Sequence, residues 1–420
     1  MIFKKILVVS LLFLSCKTAS EFTGFSYDPP GVTDTRGTLI STQKKKTIGV
    51  GIPKIWISNE FEGARAIDFY QVNKDTFEVL IEPENFPINN SPWYSFNIWS
   101  DQEQSIVLRL TYKEGSHRYI PKLTKTIDSL QFAETSPINH MHISDGVATF
   151  NLNVYKNPQQ VSAHPLEGIR YSDLLKQLVI YKNTSTYVDT VGYSLLGRPI
   201  IELTINDSSS ITNKGILALL SRQHPPETSG YRTYQEFFNT LNGNTELAKT
   251  FRKHFIVKAY PIVNPDGVVN GHWRHSAAGI DLNRDWINFN QPETRAVRDA
   301  LSTYVSQNGW QLYYGIDFHS TNENIFYPIL EEIKTFPDNL TQQWFKKVIE
   351  ENPSLKFTSE EFDTSSPVSK NWFFHTFGSD ALTFEVHDEL SLEEIRILGE
   401  NSANSLMQLL IEEWKQANGQ

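Results

Sequence analysis

Four short clusters in this 420-residue chain hold side chains that could do chemistry together: His224-Pro225-Pro226-Glu227, Asp281-Leu282-Asn283-Arg284, Asp317-Phe318-His319-Ser320 and Thr383-Phe384-Glu385-Val386. They supply two imidazoles, two separately placed glutamates and an Asn-Arg pair. A catalytic zinc ion commonly takes three protein ligands and leaves one position for water; two histidines with one glutamate form such a set. His224 and Glu227 lie three apart on one turn, and His319, from a distant segment, completes the candidate triad for one zinc ion per chain. Neutral imidazole and carboxylate keep such a site Lewis-acidic enough to activate water near neutral pH. A ligand imidazole usually gives its other N–H to a carboxylate. Asp281 is the candidate, with plain helix capping as its alternative role. The short spelling alone is weak, because His164-Pro165-Leu166-Glu167 repeats the His-Pro-x-Glu form. That copy follows Asn157 to Ala163, a polar stretch without strand character, and reads as a linker turn.

Metal-assisted hydrolysis also needs a base beside the activated water. Glu385 ends an apolar strand, where an unpaired carboxylate is costly, so a working role outweighs a structural one. His387 shares its strand face and stands as a fallback ligand or a pocket-lining residue. Asn283 and Arg284 suit a terminal carboxylate, since a guanidinium offers two parallel donors and the amide adds a third. Arg274, in Gly271-His272-Trp273-Arg274, could polarise a scissile carbonyl and hold the developing oxyanion. The competing fate of each arginine is a surface ion pair. Trp273 and Trp286 read as core or wall residues.

These clusters need strands and turns to bring them together. After about residue 160, helical stretches (Tyr234 to Leu241, Pro292 to Val305, Leu392 to Trp414) alternate with buried-looking strands. The strands are Gly215 to Leu220, Phe255 to Tyr260, Gln311 to Ile316 and Ala381 to Phe384. Asn290 is the expected cap of the second helix, with Pro292 in its first turn. The pattern predicts an α/β unit over 160–420, a mixed central sheet with helices on both faces. Each cluster sits at or just past a strand end, where open α/β sheets bind ligands. From 47 to 156 the pattern is short and β-like instead: Ile55-Trp56-Ile57, Ala66 to Tyr70, Thr76 to Ile81, Trp93 to Trp99, Ser105 to Tyr112 and Ala148 to Val154. An antiparallel β-sandwich is expected there, and it shows no metal-ligand cluster.

The formal charge of −10 argues against a nucleic-acid partner, and 12% aromatic residues argue for packed structure. Lys4 and Lys5 followed by the short apolar run Ile6 to Leu14 read as an export signal over 1–16. Leu14-Ser15-Cys16 is similar to a bacterial lipoprotein processing site; Cys16, the single cysteine, would carry the lipid and be the only link to a membrane. The expected location is therefore outside the cytoplasm, anchored or free in the periplasm or medium. Residues 17–46, with Asp28-Pro29-Pro30-Gly31 and Lys44-Lys45-Lys46, read as a tether.

Over about 165 to 415 the chain resembles the zinc carboxypeptidase family M14. Beyond the four clusters, Gly192-Tyr193-Ser194-Leu195-Leu196-Gly197-Arg198-Pro199 and Tyr260-Pro261-Ile262-Val263-Asn264-Pro265-Asp266-Gly267 carry that likeness. Phe61-Glu62-Gly63-Ala64 and Ser91-Pro92-Trp93-Tyr94-Ser95-Phe96 resemble the β-sandwich of the cytosolic-carboxypeptidase-like branch. The resemblance implies zinc held by His224, Glu227 and His319, Glu385 as general base and Arg274 as oxyanion donor. It also implies that Asn283 and Arg284 bind the substrate carboxylate. Many members place a substrate-closing tyrosine on a loop before the catalytic glutamate. Leu355 to Asp380 contains none and has Trp372, Phe373 and His375 instead. Lys370, in the same stretch, could favour an acidic terminal residue. The expected reaction is hydrolysis of a C-terminal peptide bond by zinc-activated water. The rivals are an amidase or deacylase acting on peptidoglycan-derived stem peptides and a non-catalytic binding lipoprotein.

Overall fold

The computed structural model describes residues 35, 38, 40–125, 134–181, 186–207, 213–361 and 364–420. The expected export signal, Cys16 and most of the tether lie outside the described residues. The last part of that tether is not loose. Gln43 donates to Asn270 O at 3.1 Å and also to Ala64 O, pinning the chain where the two sheet systems meet.

The first sheet system contains β1 (Thr47–Val50), β2 (Ile55–Ser58), β3 (Asp68–Gln71), β4 (Thr76–Ile81), β5 (Ser95–Ser100), β6 (Gln104–Tyr112), β7 (Lys122–Lys125), β8 (Glu134–Pro137), β9 (Met141–Ser144), β10 (Val147–Val154) and β11 (Gln159–Ser162). One sheet runs β1-β2-β5-β11-β7-β8 and the other β3-β4-β6-β10-β9. Alternation drives the packing: Phe77, Val79 and Ile81 of β4, and Ile106, Leu108 and Leu110 of β6, are buried in the core that also takes Ile55, Ile57, Phe96 and Ile98 from the other sheet. The pairing departs from a purely antiparallel pattern at one place, where β4 and β6 run parallel. The chain leaves for the opposite sheet through β5 between them, the crossover a parallel pair requires. A second departure is β11, in the stretch expected to hold no strand. Apart from Val161 its residues are polar (Gln159, Gln160, Ser162), yet it pairs with β5 on one side and β7 on the other. His164, just beyond it, is buried and stacked on Trp93 at 6.3 Å, a packing residue rather than a surface turn.

The second system is an eight-stranded sheet of β12 (Thr186–Tyr193), β13 (Pro199–Ile205), β14 (Gly215–Ser221), β15 (Phe255–Tyr260), β16 (Leu312–Thr321), β17 (Asn324–Pro328), β18 (Phe357–Ser359) and β19 (Asp380–His387). Its order is β12-β13-β15-β14-β16-β19-β17-β18. The central strands β15, β14, β16 and β19 are parallel, flanked by antiparallel neighbours, so the expected mixed sheet is present. The helices are α1 (Tyr171–Tyr181), α2 (Thr228–Leu241), α3 (Glu246–His254), α4 (Pro265–Asn270), α5 (Pro292–Asn308), α6 (Leu340–Glu351), α7 (Ser369–Phe377) and α8 (Leu392–Ala417). β14 is buried throughout, and its side chains alternate between two cores. Leu217 and Leu219 join Phe237, Trp344 and Leu406 on one face, while Ile216, Ala218 and Leu220 join Val297, Leu301 and Trp372 on the other. Helices therefore cover both faces, as the unbroken apolar run requires. No helix among the described residues is long and apolar enough to cross a membrane.

Two helix starts differ from expectation. α2 begins at Thr228, directly after Glu227, rather than at Tyr234. α5 is preceded at the cap by Gln291 rather than Asn290, and no cap side chain bonds to the helix. Asp285 takes over the task, accepting the Asn290 and Gln291 N–H groups at 2.8 and 2.7 Å and the Thr294 hydroxyl at 2.6 Å. The two family-like motifs meet in a buried joint, where Asp266 accepts from Ser194 at 2.8 Å and from Arg198 at 2.6 Å.

Glu293, in the first turn of α5, gives a pH-dependent prediction. Its Oε1 accepts the Leu195 N–H at 3.1 Å, and its buried Oε2 has no hydrogen-bond partner among the described residues. Burial pushes the carboxyl from 4.5 up to about 7. The folded chain thus holds a proton that the unfolded chain releases above about pH 4.5. Stability from this group is full below that pH and is lost as pH rises towards 7. Glu293→Gln should raise the melting temperature at pH 8, equivalent to about 1–3 kcal/mol, and change it little at pH 4.5. Thermal melts at the two pH values check this.

Candidate active site

β14, β16 and β19 lie side by side and parallel, so their carboxyl ends open at one edge of the sheet. His319 and Glu385 are register partners near the ends of β16 and β19. His224 is on the turn after β14, and Glu227 occupies the cap position of α2. Gly230 lets that helix press onto β16: a Cβ there would lie 2.2 Å from the His319 carbonyl oxygen. This contact carries Glu227 to His319, 92 residues away in sequence.

The three candidate ligand atoms lie within 4.8 Å of one another, all on buried residues. His224 Nδ1 is 2.7 Å from Glu227 Oε1, and His319 Nδ1 is 2.6 Å from Glu227 Oε2. The outer nitrogens are held by carboxylates: His224 Nε2 is 2.8 Å from Asp281 Oδ1, and His319 Nε2 is 2.7 Å from Asp317 Oδ2. Each Nε2 faces outward to its carboxylate, so both Nδ1 atoms face the shared point beside Glu227 and would be the nitrogens that hold a metal. The donor set and its outer carboxylates fit a zinc ion there.

Electrostatics follow the same geometry. Burial opposes the ionisation of Glu227, but the two imidazoles outweigh it and hold its carboxyl well below the usual range. Burial likewise opposes a charge on His319, yet Asp317 and Glu227 raise it well above the ordinary imidazole value. Asp281 is kept low despite burial by Arg274 and His224. Its Oδ2 accepts from Arg274 Nε at 2.7 Å, while its Oδ1 also accepts the Asn283 N–H at 2.9 Å. Asp281 therefore orients an imidazole and caps a short turn at once.

A cavity of about 240 Å³ opens beside this cluster. His224, Glu227, His319, Glu385, Arg274, Asn283, Arg284 and Lys370 all line it. Glu385 Oε2 is buried with no hydrogen-bond partner among the described residues, and burial together with the Glu227 carboxylate pushes its carboxyl up. Asn283 is braced through Oδ1, which accepts the Ser369 N–H at 2.9 Å. Lys370 is fully covered in the first turn of α7, with Nζ donating to Pro328 O. His387 is not among the lining residues; its Nδ1 accepts the Glu389 N–H at 3.0 Å. It is the last residue of β19, and the fallback-ligand and pocket-lining roles are both corrected. Trp273 and Trp286 are wholly buried, as expected of core residues.

Several contributors went unnoticed in the sequence. Asp317 lay inside a quoted cluster, two residues from His319 and so on its strand face, which was a usable signal. Tyr327, on β17 opposite Thr383 of β19, lines the cavity. Burial and the neighbouring Glu385 push its hydroxyl up to about 12. A tyrosine therefore reaches the pocket from a strand rather than from the stretch before Glu385. That stretch carries β18 and α7, with Trp372 and Phe373 packed in the second core. The sandwich side supplies Asn89, Ser91 and Arg118 to the cavity wall. Arg118 binds Asp388 Oδ2 through Nε at 3.0 Å and Nη2 at 2.6 Å, and Lys122 pairs with Glu389 at 2.6 Å.

The zinc carboxypeptidase family model matches residues 171–396, more than half of the chain and all four clusters. The chain belongs to the zinc carboxypeptidase family. Cytosolic carboxypeptidase 3 of Mus musculus is 23% identical over an alignment of 297 positions that covers 63% of this chain and 29% of that protein. The chain thus spans less than a third of that relative's length. A metallo-carboxypeptidase from Burkholderia cenocepacia shares the fold with a TM-score of 0.69 at 16% identity, covering 85% of this chain and 98% of that one. One from Pseudomonas aeruginosa, in complex with (2-guanidinoethylmercapto)succinic acid, gives 0.67 at 17% identity over 85% and 99%. The likeness to the cytosolic-carboxypeptidase-like branch is borne out by these comparisons, with the sandwich preceding the zinc carboxypeptidase sheet.

Proposed function

We propose that this zinc carboxypeptidase-family protein is a metallocarboxypeptidase that removes a C-terminal residue, with a preference for an acidic one. The observation that carries this reading is Glu385 Oε2, without a hydrogen-bond partner among the described residues, beside the His224–Glu227–His319 set in a cavity also lined by Arg274, Asn283 and Arg284. When bound, zinc would supply a Lewis acid that lowers the pKa of water and polarises the scissile carbonyl. Glu385 takes the proton from the attacking water and returns it to the leaving amine. Arg274, braced by Asp281, faces the developing oxyanion. Asn283 and Arg284 hold the free terminal carboxylate, and Lys370, which lines the same cavity, meets an acidic side chain.

Zinc content and a panel of peptides differing only at the last residue test the reading. Expected is release of one residue from free termini, fastest for Glu or Asp, with amidated termini cleaved at least tenfold more slowly. Equal cleavage of amidated peptides would favour an amidase instead. Lys370→Met should lower kcat/KM for a terminal Glu relative to a terminal Ala by at least about tenfold. An unchanged ratio would remove Lys370 from selectivity.

We also propose that the mature chain begins at a lipidated Cys16; the mass of the N-terminal peptide from the native host tests this.

A further inference from the structure

The loop that carries Arg274 is built against the sandwich rather than against its own sheet. Glu84, wholly buried and on the sandwich side, takes three consecutive backbone N–H groups of that loop. Its Oε2 accepts from Trp273 at 2.7 Å, and its Oε1 accepts from Arg274 at 3.0 Å and from His275 at 2.6 Å. Asn85 continues the grip, with Oδ1 2.6 Å from His275 Nδ1 and Nδ2 donating to Gly279 O at 3.0 Å. At the start of the loop Gly271 has φ of 65°, and a Cβ there would lie 2.7 Å from Ala64 O, so the two main chains touch. From this clamped backbone the Arg274 side chain runs to Asp281, which also holds His224.

We propose that Glu84 is a positioning residue for Arg274, so that the sandwich sets the geometry of the oxyanion donor and forms part of the reaction apparatus. The inference rests on the reading of Arg274 given under the proposed function. Burial opposes the charge of Glu84, but His272, His275 and Arg65 outweigh it and keep the carboxyl at about 2, so it stays ionised across the working range. An ionised carboxylate accepting three main-chain N–H groups fixes the loop's path more firmly than a neutral acceptor, because each bond is charge-assisted. A shift of the loop by about 1 Å would move the guanidinium off the oxyanion position, at a cost on the order of a hundredfold in rate.

A merely structural Glu84 would knit two units together without favouring any one step, so the test must separate these roles. Glu84→Gln keeps the shape but puts an amide where an acceptor is needed, and Glu84→Asp keeps the charge but shortens the reach. For an N-blocked dipeptide ending in free Glu, both variants should lose about 10- to 100-fold in kcat, with KM within about threefold and zinc content unchanged. In an Arg274→Ala background the same substitutions should cost less than about threefold further, because the residue they act through is already gone. Hydrogen exchange should quicken in the peptide spanning 271–281 and stay unchanged in peptides from β14 and β16. The exchange arm needs no substrate: if the wild-type chain cleaved no peptide, a loosened loop would still support the positioning claim while the catalytic reading fell. Equal losses in both backgrounds, or an unaltered exchange pattern, would overturn the proposal. Loss of the whole folding transition in both variants would overturn it too, by assigning Glu84 to general stability.

Discussion

Glu385→Gln is expected to lower kcat on a C-terminally free peptide by about 10²- to 10⁴-fold, with zinc content and folding retained. The substitution changes almost nothing else. No described group donates to Glu385 Oε2, so the amide breaks no hydrogen bond there, and its shape is that of the carboxylate. It also relieves a buried ionisable group of its desolvation cost, so the melting temperature should hold or rise. What is lost is the ability to take a proton from water and pass it to the departing nitrogen. Steady-state kinetics, metal analysis and a melt on the same preparation decide the matter; kcat within tenfold of wild type would take Glu385 out of the proton transfer.

Asp281→Ala should have the second largest effect, because two working groups lose one partner together. His224 Nε2 and Arg274 Nε both depend on this carboxylate, at 2.8 and 2.7 Å. Removing it frees the imidazole to rotate, which is expected to weaken zinc binding about 10- to 100-fold. It also leaves a buried guanidinium without its anchor. Saturating zinc should therefore restore the metal but not the rate, with kcat remaining at least about a hundredfold down. Asp317→Ala is the control: it touches His319 but not Arg274, so added zinc should recover most of its activity. Competition with a chromogenic chelator, followed by kinetics at saturating metal, separates the two. Full recovery of Asp281→Ala on added zinc would show that its bond to Arg274 is idle in the reaction.

The catalytic side of the molecule was legible because its chemistry is spelled locally. His224 and Glu227 share a turn, Asn283 and Arg284 are adjacent, and Glu385 is an ionisable residue directly after the mostly apolar run Ala381 to Phe384. Continuous apolar runs such as Gly215 to Leu220 marked strands covered on both faces, and the two cores on β14 show why. The rest depended on contacts that no short window contains. Glu84 meets its partners 189 to 191 residues downstream, and Arg118 meets Asp388 across 270 residues. β11 was missed because its place in the sheet is secured by backbone bonds on both edges, and Gln159 and Ser162 are buried without apolar character. Asn290 failed as a cap because Asp285, one turn earlier, already holds the main-chain donors there.

Gly230 sets a mechanical limit on what this scaffold can become. With no side chain between helix and carbonyl, α2 sits too close to β16 for even a Cβ, which would lie 2.2 Å from the His319 carbonyl oxygen. The gap between the imidazoles is thus gauged by a close approach of two backbones that leaves no room for a Cβ. Larger or more highly coordinated ions would have to be hosted by exchanging side chains, and a bulkier residue at Gly230 would prise the two halves of the donor set apart before it disturbed anything else.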